Sequence, residues 1–284
     1  MSASLPPQLA LVARGWMHGN VVVVDGEQPA LIDTGYHTDV GPIRAAFAAL
    51  TGRPLSGHLA TIALTHTHSD HAGGVQALAG QTGAEVRAHA DVKRMVDTWD
   101  TKAMWLDNTG QQLPRYRVDR TVTHLARTLL GDVEWRVLHT PGHATGGVSY
   151  LWEREGVLVT GDALWEDGFG ILNPWSDGPH VFDDAELALD RIEETGACTV
   201  VPGHGNAFSG LPAALDRARS RLDYYRTRPD RLQVQMVRSC LGFLRLARPD
   251  LPEGEQRAIT HRMALWLQLD EDDAARAVSE LFGR

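Results

Sequence analysis

Apolar residues follow two different periods along this chain. Leu9–Arg14, Asn20–Asp25 and Ala30–Asp33 are short aliphatic, β-branched runs that predict strands, with Gly26 in the turn between the last two. Thr38–Leu50 sets Ile43, Phe47 and Leu50 on one side of a helix, with Thr38 as its N-cap and Gly52 as its stop. A strand over Leu59–Leu64, a helix through Gly73–Leu78, a strand over Glu85–Ala88 and a helix over Asp91–Trp99 follow. Thr101–Arg120 has no clean period and reads as an irregular, lid-like segment. Strands are expected again at Val122–Leu125, Val133–Leu138, Val148–Trp152 and Gly156–Thr160. A Gly-, Asp-, Pro- and Trp-rich loop over Ala163–His180, a helix over Ala185–Glu194 and a short strand over Thr199–Val201 complete this part.

After Ser209 only the helical period remains. Leu211, Leu215, Ala218, Leu222 and Tyr225 form one apolar row, and Leu232, Met236, Cys240, Phe243 and Ala247 a second. Ile259, Met263 and Trp266 begin a third helix and Ala274–Leu281 a fourth, with Pro229, Pro249 and Pro252 between them. The pattern predicts an α/β body over residues 1–208 and an all-helical C-terminal cap over 209–284.

Composition narrows the function classes. The chain has 284 residues and a net charge of −9. Residues 209–284 hold 13 Arg against 11 acidic residues, so the acidity lies in the body. No basic surface for nucleic acid is indicated. No apolar run is long enough to cross a membrane, and the first residues lack a secretory pattern. The two cysteines, Cys198 and Cys240, form no motif, which favours a reducing compartment. The expected location is cytoplasmic.

The chemistry is concentrated in one run. His66-Thr-His68-Ser-Asp70-His71 places four metal-capable side chains within six residues, directly after a predicted strand. Imidazole nitrogen and carboxylate oxygen suit zinc and related divalent metals. Four such groups with no apolar residue among them have no core-packing explanation. His143 in Thr-Pro-Gly-His, Asp162 in Thr-Gly-Asp-Ala-Leu and His204 in Pro-Gly-His-Gly each follow another predicted strand, with an adjacent glycine that allows a sharp turn.

With these residues, and with Leu31-Ile-Asp33-Thr-Gly35, the chain over roughly residues 10–208 resembles the metallo-β-lactamase superfamily. The resemblance implies an αββα sandwich with its site at one edge between two sheets. It implies that His66, His68 and His143 hold a first metal, that Asp70, His71 and His204 hold a second, and that Asp162 bridges them. Asp33 would orient a metal-bound histidine from behind or cap the strand-end turn. Two divalent ions are implied, zinc foremost, with iron or manganese as alternatives. A pair about 3.5–4 Å apart can share a hydroxide that attacks a carbonyl, with Asp70 aiming it.

An aspartate at Asp162 places the chain nearer glyoxalase II, lactonases and thioesterases than the true β-lactamases. Ala163–Trp175 contains no Lys or Arg of the kind with which glyoxalase II holds glutathione, and no Tyr lies between Asp162 and His204 as in signal lactonases. Trp99, Trp105, Trp165, Phe169 and Trp175 are candidates for an apolar pocket, with Met104 and Ile171 beside them. They suit an acyl thioester, ester or lactone with an apolar part. An iron persulfide dioxygenase using two His and one Asp, and a binding protein of the same fold with little turnover, are the alternative readings. The helical cap is expected to cover the site entrance or to form a homodimer contact.

Overall fold

The computed structural model describes residues 3–107 and 111–283. Strands β1 (Leu9–Val12), β2 (Val21–Val24), β3 (Ala30–Ile32), β4 (Thr61–Ala63), β5 (Glu85–His89) and β6 (Arg120–Val122) form one sheet in that spatial order. Strands β7 (Arg127–Leu130), β8 (Val133–His139), β9 (Val148–Trp152), β10 (Val157–Gly161) and β11 (Thr199–Pro202) form the second, ordered β11-β10-β9-β8-β7. The helices are α1 (Val40–Thr51), α2 (Ser69–Ala72), α3 (Val75–Thr82), α4 (Ala90–Thr98), α5 (Val181–Glu193), α6 (Leu211–Thr227), α7 (Pro229–Ala247), α8 (Glu253–Trp266) and α9 (Glu271–Phe282). Two sheets with helices on both outer faces make the expected αββα sandwich, followed by four further helices.

Strand β2 shows why the layers form. It is four consecutive valines, all buried, and successive side chains point to opposite faces of the sheet. Val22 and Val24 meet Trp135, Tyr150 and Val159 of the second sheet between the layers, whereas Val21 and Val23 join Phe47 and Leu78 under the outer helices. In the second sheet, Val157 and Val159 face inward and Leu158 faces α5 and α6. Each fully buried aliphatic side chain of this kind contributes roughly 1.5–3 kcal/mol.

Strand direction decides where the site lies. β8 and β9, and β9 and β10, pair antiparallel, while β10 and β11 pair parallel. β8, β10 and β11 therefore run the same way and release their C-terminal loops at one edge.

Three local features differ from expectation. The run Val122–Leu125 is not one strand: β6 ends at Val122 in the first sheet, and the chain turns at Leu125 (φ 63°) to begin β7 in the second. Asp39, not Thr38, precedes α1, and its carboxylate accepts from Tyr36 N and faces His18 Nδ1 at 2.9 Å. Up to Arg120, which opens β6, the described residues from Thr101 onward are irregular yet anchored, because Met104, Leu113 and Val118 are buried in the core under the first sheet's helices. The stop at Gly52 is as expected: it has the left-handed backbone (φ 67°) that glycine permits, and its N–H closes on Ala48 O.

The helices after residue 209 divide their contacts. Ala214, Leu215, Ala218 and Leu222 of α6 share one core with Leu189 and Ile192 of α5. Cys240, Leu241, Leu244, Leu251 and Met263 form a separate cluster among α7, α8 and the segment between them. Cys198 and Cys240 are both free thiols. Among the described residues, no helix is long and apolar enough to cross a membrane.

Candidate metal centre

The His-x-His-x-Asp-His run changes backbone halfway. His66 and His68 lie on extended chain after β4, where alternate side chains emerge on one side, and His68 itself has φ −64° and ψ 152°. Asp70 and His71 fall on the single turn of α2, which aims them at a neighbouring point. His143 follows β8, Asp162 follows β10 and His204 follows β11. Two glycines permit this crowding. A Cβ on Gly142 (φ 115°) would lie 2.7 Å from Ala185 Cα, and one on Gly203 would lie 2.1 Å from Asp162 Oδ1.

The seven side chains form three overlapping sets: His66, His68 and His143; His66, His71 and Asp162; Asp70, His71 and His204. Within each set the donor atoms lie within 4.8 Å of one another. His68 Nδ1 is 2.8 Å from His143 Nε2. Asp162 stands between the outer sets. Its Oδ2 is 3.4 Å from His143 Nε2 and 3.5 Å from His204 Nε2, and its Oδ1 is 3.4 Å from His71 Nε2. Asp70 Oδ2 is 3.1 Å from His204 Nε2 and 3.5 Å from His71 Nε2.

The outward-facing atoms show how the rings are aimed. His71 Nδ1 is 2.8 Å from Asp33 Oδ2, and His143 Nδ1 is 2.7 Å from Ile171 O. His66 Nδ1 faces Thr65 Oγ1 at 3.0 Å, and that hydroxyl donates to Asp33 Oδ2 at 2.7 Å. Asp33 also accepts from Thr65 N at 2.7 Å. With Nδ1 turned outward onto these oxygens, each ring directs its Nε2 inward. His66 Nε2, His71 Nε2 and Asp70 Oδ2 are buried with no hydrogen-bond partner. An unsatisfied buried polar atom costs about 1–3 kcal/mol, a penalty that a cation at the convergence point removes. The donor set fits divalent metal ions of the zinc type.

Electrostatics divide the cluster: burial would lower His71, but the Asp70, Asp162 and Asp33 carboxylates hold it well above the usual imidazole range. Burial, followed by the charges of neighbouring histidines, pushes His66 and His68 below the usual imidazole range, His68 to about 3. Burial would also lower His204, but the Asp162 and Asp70 carboxylates hold it up at about 9. Burial would raise Asp162, yet His204 and His71 hold it well below the ordinary carboxylate range. Asp162 is thus an anion at neutral pH, and His66 and His68 are free bases.

A cavity of about 300 Å³ opens from these donors. Trp105 and Trp165 line it. Trp105 lies over His68 with centroids 4.5 Å apart, and Trp165 Nε1 donates to Asp162 Oδ1 at 3.1 Å. The other three aromatic candidates lie elsewhere. Trp99 caps α4 in a left-handed conformation and packs on Tyr116, with the Arg115 guanidinium over its ring. Phe169 is buried in the core beneath α6, and Trp175 packs against the same core. Met104 is buried under the first sheet, whereas Ile171 lines the cavity and lends its carbonyl to His143. His139 donates from Nε2 to Thr145 O and stacks on His89, away from the metal donors.

Several lining residues were missed in the sequence. Trp16 stands at the mouth, its ring 5.8 Å from Trp165 and 5.6 Å from His204. Arg221 of α6 and Gln235, Ser239 and Phe243 of α7 also line the cavity. The helices of the cap therefore help to build the cavity. Arg217 of α6 holds Glu166 O at 2.9 Å and the Asp167 carboxylate at 3.1 Å, so a segment without cations of its own receives them from α6.

The chain belongs to the metallo-beta-lactamase superfamily, whose family model matches residues 14–204. A hydroxyacylglutathione hydrolase from Anaeromyxobacter dehalogenans is 32% identical over 190 residues, covering 67% of this chain and 62% of that one. An acyl-coenzyme A thioesterase from Bos taurus is 26% identical over 211 residues, covering 66% and 74%. The chain thus spans about three fifths of the hydroxyacylglutathione hydrolase it matches (62%). Among solved structures, a metallo-beta-lactamase family protein from Thermus thermophilus superposes with a TM-score of 0.64 at 23% identity, over 99% of this chain and 95% of that one. The FEZ-1 metallo-beta-lactamase from Legionella gormanii gives 0.63 at 16% identity, over 82% and 98%. These two likenesses concern the fold, and the first extends through α6–α9.

Proposed function

We propose that the protein is a two-metal hydrolase acting on an acyl thioester, ester or lactone with an apolar part. The observation that carries this reading is Asp162. Its two oxygens face histidines of both outer donor sets, at the floor of a cavity walled by tryptophans. His66, His68 and His143 would hold one ion, Asp70, His71 and His204 the other, and Asp162 both. Bound there, zinc or a related divalent ion supplies Lewis acidity and lowers the pKa of water to about 7.

The chain's own residues do the rest. Asp33 fixes the tautomer of His71, and the Ile171 carbonyl fixes that of His143. Asp70 Oδ2, turned inward without a hydrogen bond, is available to accept a proton from a nucleophilic water. Trp16, Trp105 and Trp165 exclude water from the reacting end and offer aromatic faces to an acyl chain. The hydroxyacylglutathione hydrolase and acyl-coenzyme A thioesterase relatives support carbonyl hydrolysis. The net negative charge supports a small-molecule substrate over nucleic acid.

The test is metal content per chain on protein purified without added metal, joined to a panel of thioesters, esters and lactones. Two ions per chain and hydrolysis within the panel are expected. A single iron with no hydrolysis would overturn the reading and favour the dioxygenase alternative.

A further inference from the structure

Helices α6 and α7 bring polar side chains to the cavity that the metal donors also line. Gln235, Ser239 and Phe243 are spaced four residues apart on α7, so they form one row along the helix, and all three line the cavity. Gly242 pins this row over the site: a Cβ there would lie 2.9 Å from Met17 Cε. The side chains of Gln235 and Ser239 make no hydrogen bond with the described residues.

Arg221 completes the wall from α6. Three other arginines of that helix are matched to acids: Arg217 to Asp167, Arg219 to Asp190 and Glu193, and Arg226 to Asp183 and Glu186. Arg221 pairs with no carboxylate among the described residues. Its Nη1 reaches Asp167 O at 3.3 Å, and its guanidinium lies over the rings of Phe169 and Tyr225 at 5.7 and 5.3 Å. Among the described residues it is the one Lys or Arg that lines the cavity. A half-buried guanidinium held between aromatic rings, with one donor on the Asp167 carbonyl and the nearby Asp167 carboxylate engaged by Arg217 instead, is a preformed anion receptor.

We propose that Arg221 receives a carboxylate at the far end of the substrate from the bond that is cleaved, with Gln235 and Ser239 hydrogen-bonding beside it. The substrate class is then an acyl thioester or ester whose acyl chain ends in a second carboxylate. This rests on the hydrolase reading for the reacting end only; the anion site stands on its own geometry.

The test compares two thioesters of N-acetylcysteamine with six-carbon acyl groups, adipoyl and hexanoyl, which differ in a terminal carboxylate against a methyl. In parallel, adipate and hexanoate are titrated calorimetrically into the metal-loaded protein. Either acid can offer one carboxylate to the metals, so the difference isolates the second. The expected result is a preference for the dicarboxylic member of about tenfold or more, expressed in KM and in Kd, and lost in Arg221→Gln. Gln235→Leu should reduce the same ratio to a smaller extent. Equal treatment of both pairs by the wild-type protein would overturn the anion site and leave the hydrolase reading intact; this comparison needs no variant. A preference that survives Arg221→Gln would overturn the assignment to Arg221. If no thioester is cleaved but adipate still binds tighter through Arg221, the anion site stands and the hydrolase reading fails.

Discussion

Asp33 Oδ2 lies 2.8 Å from Nδ1 of His71, a side chain with no exposed surface. The contact joins the end of β3 to the helix that carries two proposed metal ligands. Asp33 has a positive φ of 61°, a conformation that Asp and Asn adopt more readily than other non-glycine residues. Asp33→Asn therefore keeps the backbone but removes the charge and one of the two acceptor oxygens that Thr65 and His71 use. Metal affinity should fall by about 10–100-fold, measured by competition with a chromophoric chelator. Wild-type affinity in this variant would show that the contact is only a turn cap.

Asp162→Asn tests the bridge. One amide oxygen cannot serve His143, His204 and His71 directions together, which two carboxylate oxygens face in the native chain. Occupancy of both ions should drop, and hydrolysis should fall by orders of magnitude. Two ions and full rate would remove Asp162 from the proposed role.

Gly203→Ala tests the crowding by shape alone. The added Cβ would stand 2.1 Å from Asp162 Oδ1 and 2.8 Å from His71 Cε1. Overpacking of this kind costs about 1–3 kcal/mol. The variant should show a lowered Tm in thermal unfolding and a reduced metal content.

The metal-free protein should have a stability maximum near neutral pH. His66 and His68 are pushed below the 6.5 of a free imidazole, so below pH 6.5 the unfolded chain takes up protons that the folded chain refuses, and stability falls. His204 is raised to about 9, so its contribution is complete below 6.5 and lost as pH rises through 9. Scanning calorimetry in chelator from pH 5 to pH 9, taken as a rough window around these values, checks both limbs. A Tm that climbs steadily from neutral to alkaline pH would contradict the His204 environment.

Trp16→Ala tests the mouth of the cavity. The residue is 63% exposed, and surface positions of this kind change stability by less than about 0.5 kcal/mol. Its ring nevertheless meets Trp165 and His204. KM for a long acyl thioester should rise several-fold with Tm unchanged, and an unaltered KM would make Trp16 a bystander.

Much of the fold was legible because burial imposes a period. The valines of β2 and the Ile43–Phe47 face of α1 announce their elements, since a residue two or four positions on must meet the same layer. Val122–Leu125 misled because its apolar pattern continues across the point where the chain leaves one sheet for the other. Only the left-handed turn at Leu125 and the pairing of β7 with β8 separate them. Trp99, Phe169 and Trp175 misled because an aromatic side chain near a site in sequence can satisfy its apolar surface against a core as well as in a cavity.

The sequence by itself determined the proposed metal donors. His66, His68, Asp70, His71, His143, Asp162 and His204 carry their chemistry in the side chain; the first four stand together after a predicted strand, and an adjacent glycine marks the turn at each of the other three. Tertiary structure decided what faces them. Arg221, Gln235, Ser239 and Phe243 lie on helices whose apolar rows look like any packed helix, and nothing local says which body they pack upon. Their place over the site follows from α6 docking on α5 and from α7 closing onto Met17, contacts between segments up to 225 residues apart in the chain, from Met17 to Gly242.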